Sequence, residues 1–120
     1  MYQVLDNGII TLSRGDTFNY VFSLKDDIKG KPIELTEDDT IYFGICEPNQ
    51  LWENAIVRKI CEKLIVDNEY TGEYKISLES IDTEYLYPGK YYYSIKLRQI
   101  DENDNEIVTT IKEKTLFWIE

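Results

Sequence analysis

The chain has 120 residues, with 13 Lys and Arg against 23 Asp and Glu, giving a formal net charge of −10. That length fits one domain, residues 1–120, able to bury a core of its own, and the charge repels nucleic acid and anionic membrane surfaces, so neither is expected as a partner. There is no histidine and no CxxC pair to build a zinc site, and no apolar run reaches the roughly 18 residues of a membrane span.

Two-residue periodicity dominates from the start. Asn7-Gly8 separates Tyr2–Leu5 from Ile9–Leu12 and predicts a hairpin. Arg14-Gly15-Asp16 follows. The tripeptide is a known adhesion signal, but glycine's backbone freedom and an Asp that accepts backbone hydrogen bonds equally suit a corner between strands, and the turn is the expectation. Thr17–Leu24 alternates Phe18, Tyr20, Phe22 and Leu24 on one face. Lys29-Gly30-Lys31-Pro32 closes that strand, and Thr40–Cys46 repeats the pattern with Ile41, Phe43 and Ile45. Glu47-Pro48-Asn49 ends it.

Lys63–Val66 and Glu73–Glu79 read as further strands divided by Asp67–Gly72, with Tyr74, Ile76 and Leu78 inward. Asp82 is placed to cap one short helical turn over residues 83–87, which Pro88-Gly89 stops. Lys90–Arg98 sends Tyr91, Tyr93, Ile95 and Leu97 inward, leaving Tyr92, Ser94, Lys96 and Arg98 outward. Asp101–Asn105 turns the chain into Ile107–Ile111, which Thr115–Ile119 continues past a bulge. Seven to nine short, mostly antiparallel strands, each with one apolar face, predict an all-β immunoglobulin-like β-sandwich.

No Ser-His-Asp or Cys-His arrangement can be built without histidine. No glycine loop cradles phosphate, and no spacing selects a carboxylate pair, so the expectation is a non-enzymatic protein with no cofactor and no metal. Asp101, Asn103 and Asn105 begin like a calcium loop, but Glu106 and Lys112 stand where glycine and the bidentate glutamate belong. MYQVLDNGII lacks the basic start of an export signal, which points to a reducing cytoplasm with Cys46 and Cys61 as small hydrophobes rather than a disulfide. Leu51 and Trp52, in the loop after the Thr40–Cys46 strand, and outward-facing Tyr92 are the candidate partner contacts. Trp118, in the terminal strand, is expected in the core. Two alternatives follow from composition: an acidic DNA mimic that blocks a host defence nuclease, although the carboxylates scatter, with clusters only at Glu37–Asp39 and Asp101–Glu106, and a carbohydrate-binding module using exposed tyrosines.

Three segments carry a resemblance. They are a T-L-x-R-G-D-T opening at Thr11–Thr17, a G-x-P-x-x-L-x-x-x-D segment at Gly30–Asp39, and a D-T-x-x-L-x-x-G-x-Y-x-Y segment at Asp82–Tyr93. In this order they resemble small phage structural proteins similar to the N-terminal domain of the phage baseplate upper protein. The resemblance implies an immunoglobulin-like sandwich acting through contacts with other phage virion proteins. It also implies residence in the virion, in the host cytoplasm during assembly, compatible with a homo-oligomer there. It implies no catalytic residues.

Overall fold

A computed structural model describes residues 2–5, 7–23 and 39–120, with Glu53 and Tyr70 described in backbone only. The expected inward Leu24, the turn at residues 29–32 and most of the Gly30–Asp39 segment lie outside the described residues. Among the described residues nine strands form two sheets. They are β1 (Tyr2–Val4), β2 (Ile10–Leu12), β3 (Phe18–Ser23), β4 (Thr40–Cys46), β5 (Val57–Ile60), β6 (Glu62–Val66), β7 (Glu69–Leu78), β8 (Gly89–Ile100) and β9 (Glu106–Ile119). One sheet runs β1-β2-β9-β8-β4-β5 and the other β3-β7-β6. Every pairing is antiparallel except β2 with β9. The result is an all-β sandwich.

The core lies between the sheets, where strand alternation delivers it. Phe18, Ile76 and Leu78 from the smaller sheet meet Ile10, Phe43, Ile45 and Phe117 from the larger, all essentially dry. Phe43, Tyr93 and Phe117 form an aromatic triangle with centroids 5.4–6.3 Å apart, in the tilted and edge-on geometries that ring quadrupoles favour. The expected core residues Tyr20, Phe22 and Leu97 are only half-buried and pack against its margin. Trp118 is a correction. It is 41% exposed, whereas its neighbours Phe117 and Ile119 are fully buried. β9 pairs with β2 as Ile10↔Phe117 and Leu12↔Ile119, and that register turns the odd residues inward and the indole out.

Local chemistry moved several boundaries. The first hairpin has a wider loop than expected: Leu5 N–H donates to Ile9 O and Gly8 N–H to Leu5 O, both at 2.8 Å. The β6–β7 turn is tighter, because Asp67 and Asn68 both adopt positive φ, 52° and 65°, as a two-residue hairpin requires. β7 therefore resumes at Glu69 and bulges near Gly72. β5 was not foreseen. The short helix α1 spans Ser80–Glu84 rather than residues 83–87, and Glu79, not Asp82, is its N-cap. Asp82 stands three residues on, its Oδ2 accepting the Glu79 N–H at 2.7 Å and its other oxygen 3.0 Å from Lys59 Nζ, the carboxylate half of a capping box.

Arg14-Gly15-Asp16 forms a turn. Gly15 has φ 82°, Asp16 N–H donates to Ser13 O, and Arg14 N–H donates to Glu120 O, both at 3.0 Å. Gly15 N–H donates to the fully buried Thr83 hydroxyl at 3.0 Å, which pins the turn to α1. Cys46 and Cys61 are both buried and form no disulfide. Burial pushes the Cys61 thiol up to about 12 because the thiolate would lose its hydration.

An aromatic and cationic groove on the outer face

The outer face of the six-stranded sheet carries the candidate site, and the β4–β5 connection builds it. Beyond β4 the chain turns at Glu47–Gln50, with Gln50 N–H donating to Glu47 O and the Gln50 side chain accepting the Glu47 N–H. One turn of 3-10 helix, Trp52–Asn54, follows. Ile56 N–H then returns to Ile45 O at 2.9 Å and starts β5. The loop folds back over its own sheet and lays the Trp52 indole on Gly44.

That seating explains the glycine. Alternation points position 44 outward, and a Cβ there would stand 2.8 Å from Trp52 Nε1, closer than real carbon contacts allow. Nε1 is itself buried, with no hydrogen-bond acceptor among the described residues. Tyr42 meets the indole edge-on at 6.1 Å. Arg58 sits 4.4 Å from the ring centroid and Lys96 5.5 Å, and Arg58 also donates to Trp52 O at 3.2 Å. Tyr92 repeats the arrangement, with Lys114 at 4.8 Å and Lys90 at 5.6 Å from its ring. Lys114 Nζ donates to Pro48 O at 2.9 Å, tying the loop to β9. Each such ring–cation contact contributes about 0.5–1 kcal/mol at an exposed site, so these cations are held in place.

All three sequence-predicted contact residues meet here. Leu51, Trp52 and Tyr92 line one groove of about 350 Å³ together with Cys46, Lys96 and Lys114, and Leu51 is 69% exposed at its lip. On the other side of the indole a second hollow of about 260 Å³ adds Tyr42, Arg58 and Arg98, where Arg98 Nε bonds Glu106 Oε2 at 2.8 Å.

Sequence reasoning missed the charge of this face. Arg58, Lys90, Lys96, Arg98 and Lys114 are five of the chain's 13 basic residues. Three lie on β8 at two-residue spacing or its multiples, a signal present in the sequence. Arg58 and Lys114 come from β5 and β9, and only the sheet order brings them alongside. Trp118, cross-strand from Lys90, extends the aromatic row on the same face. The groove offers an apolar floor and a rim on which Lys96 and Lys114 outnumber the one carboxylate, Glu113, a surface for binding an anion that also has apolar parts.

No protein-family model matches the chain, and no curated protein matches it.

Proposed function

We propose that the chain is a non-enzymatic phage virion component of immunoglobulin-like fold that joins other virion proteins through the outer face of its six-stranded sheet. The carrying observation is the convergence of Leu51, Trp52 and Tyr92, from a loop and a strand some 40 positions apart in sequence, on one exposed groove. Buried aromatic anchors ringed by polar groups are the usual anatomy of a protein contact.

The immunoglobulin-like assignment has support from connectivity. The order β9-β8-β4-β5 opposite β3-β7-β6 matches a G-F-C-C′ sheet facing B-E-D, as in variable-type domains. Tyr91, near the start of β8, donates its hydroxyl to Tyr87 O at 2.7 Å, a bond like that of the tyrosine corner near the start of strand F. The phage assignment rests on the sequence resemblance. Two of its three segments join at the Gly15–Thr83 hydrogen bond, which gives them a shared structural reason to recur together. The DNA-mimic and carbohydrate alternatives gain nothing from this face, which is basic and whose rings already hold cations. The test is mass spectrometry of purified virions of the phage that encodes the chain. Recovery in the particle at several copies is expected. A chain abundant in infected cells and missing from virions overturns the proposal.

A further inference from the structure

We infer that the groove takes an acidic peptide segment of a partner protein, with one apolar side chain seated on Leu51, Trp52 and Tyr92 and carboxylates drawn to Lys90 and Lys96. The inference rests on the proposal that the chain works by protein contact, and it specifies the chemistry of what is contacted.

Charge is the first argument. The molecule carries −10 overall, yet this face sets five cations against two carboxylates, Glu106, which pairs with Arg98, and Glu113 on the groove wall. Lys59, Lys75 and Arg98 each lie within 4 Å of a carboxylate oxygen. Lys90 and Lys96 have no carboxylate partner among the described residues and lean on aromatic rings instead. A cation held by a ring keeps its charge and most of its hydrogen-bonding capacity, so both lysines are oriented and available. Pre-ordering of this kind lowers the entropy cost of meeting an anion.

The kind of anion follows from the rest of the face. Nucleic-acid strands and sugars are gripped by stacking on open ring faces, and Trp52 and Tyr92 already carry the chain's own cations. A long polyanion would also meet the repulsive field of the acidic remainder, whereas a short segment lies within the patch, inside a Debye length of about 8 Å in physiological salt. The groove of about 350 Å³ is near the lower limit for a pocket that engulfs a small molecule and suits a side chain or two of a peptide. Its floor is indole and phenol with Leu51 at the lip, which calls for an apolar residue among the acids.

Two tryptophans are present in the chain, so Trp118→Phe leaves Trp52 as the only indole reporter. The probe is a short synthetic peptide of glutamates flanking one leucine. It is compared with the same peptide carrying glutamines and with oligothymidylate of equal charge. Expected results are a change in Trp52 emission with the glutamate peptide, weakening as salt rises, and loss of that change with glutamines. Lys96→Glu should weaken binding about tenfold by turning an attraction into a repulsion, while Lys75→Glu on the opposite sheet should leave it unchanged. Circular dichroism of each variant separates lost binding from lost fold. The inference is overturned by no response to the glutamate peptide, by equal binding of the glutamine peptide, or by tighter binding of oligothymidylate. Self-association that Lys96→Glu abolishes overturns it in favour of a second copy as occupant. Absence of peptide binding would leave the virion mass-spectrometry result standing, so the two claims fail separately.

Discussion

The two faces of the six-stranded sheet carry the same kinds of ring in opposite surroundings. Inside, Phe43, Tyr93 and Phe117 touch one another with solvent excluded, and the Tyr93 hydroxyl donates to Gly8 O. Outside, Trp52 and Tyr92 touch cations rather than other buried rings, apart from the edge of Tyr42. Inside, the rings stabilise by area removed from water. Outside, they position charge. Tyr92 and Tyr93 are adjacent in the chain, so the difference comes from strand parity alone.

Breaking the inner face should have the largest effect. Phe43→Ala removes one corner of the aromatic triangle and should cost about 3–5 kcal/mol in urea or thermal unfolding. Emission from Trp52, one sheet-thickness away, should stay native-like wherever the variant remains folded. A small loss would mean that the inner rings are less tightly packed than their centroid distances indicate.

Gly44→Ala acts on the outer face with the inner one intact. The added methyl collides with Trp52 Nε1, so the indole must lift off. The expected cost is about 1–3 kcal/mol, typical of overpacking, with a red shift of Trp52 emission in the Trp118→Phe background. An unshifted spectrum would mean that the indole does not lie on the glycine.

The smallest effect probes a buried hydroxyl. Tyr93→Phe removes one hydrogen bond and should cost about 1 kcal/mol. It should also change the alkaline limb of the stability curve. Burial, with a lesser contribution from Tyr20, pushes Tyr93 up from 10.0 to about 12. A raised acid contributes stability that is fully present below pH 10 and is lost as pH climbs towards 12. Cys61, raised from 9.0 to about 12 by burial, gives a similar loss that begins near pH 9. Tyr91 is raised in the same direction, by burial and then by Glu47. The variant should keep the Cys61 decline and show a shallower slope above pH 10. Identical slopes would place the Tyr93 hydroxyl in contact with solvent.

Much of this was legible in the sequence, and the exceptions have physical causes. Alternation located β3, β4 and β8 and separated Tyr92 from Tyr91 and Tyr93, because a lone strand already specifies parity. It failed at Phe117-Trp118, two bulky apolar residues in succession. There the register with β2 and β8 decides which one turns inward, and register is a property of the assembled sheet. Val57–Ile60 escaped because its apolar residues stand at opposite parities, with Ile60 left exposed at a sheet edge. The sequence offered Leu51 and Trp52 as an apolar pair, and Tyr92 separately, as candidate contacts. Their union, and the cations around them, depended on strands β4, β5, β8 and β9 becoming neighbours, which no local pattern encodes.

The parallel pairing of β2 with β9 bears on how the chain is made. β9, the last strand described, lies between β2 and β8 inside the larger sheet, and Leu12 O accepts the Glu120 N–H at 2.9 Å. Ile10 and Leu12 leave the ribosome well ahead of Phe117 and Ile119 and must wait for them before their sheet can close. Contacts this distant in sequence slow folding and prolong the exposure of unpaired edges. A nascent chain halted before β9 would hold a half-built sheet in which Phe18 and Phe43 lack the Phe117 ring that covers them.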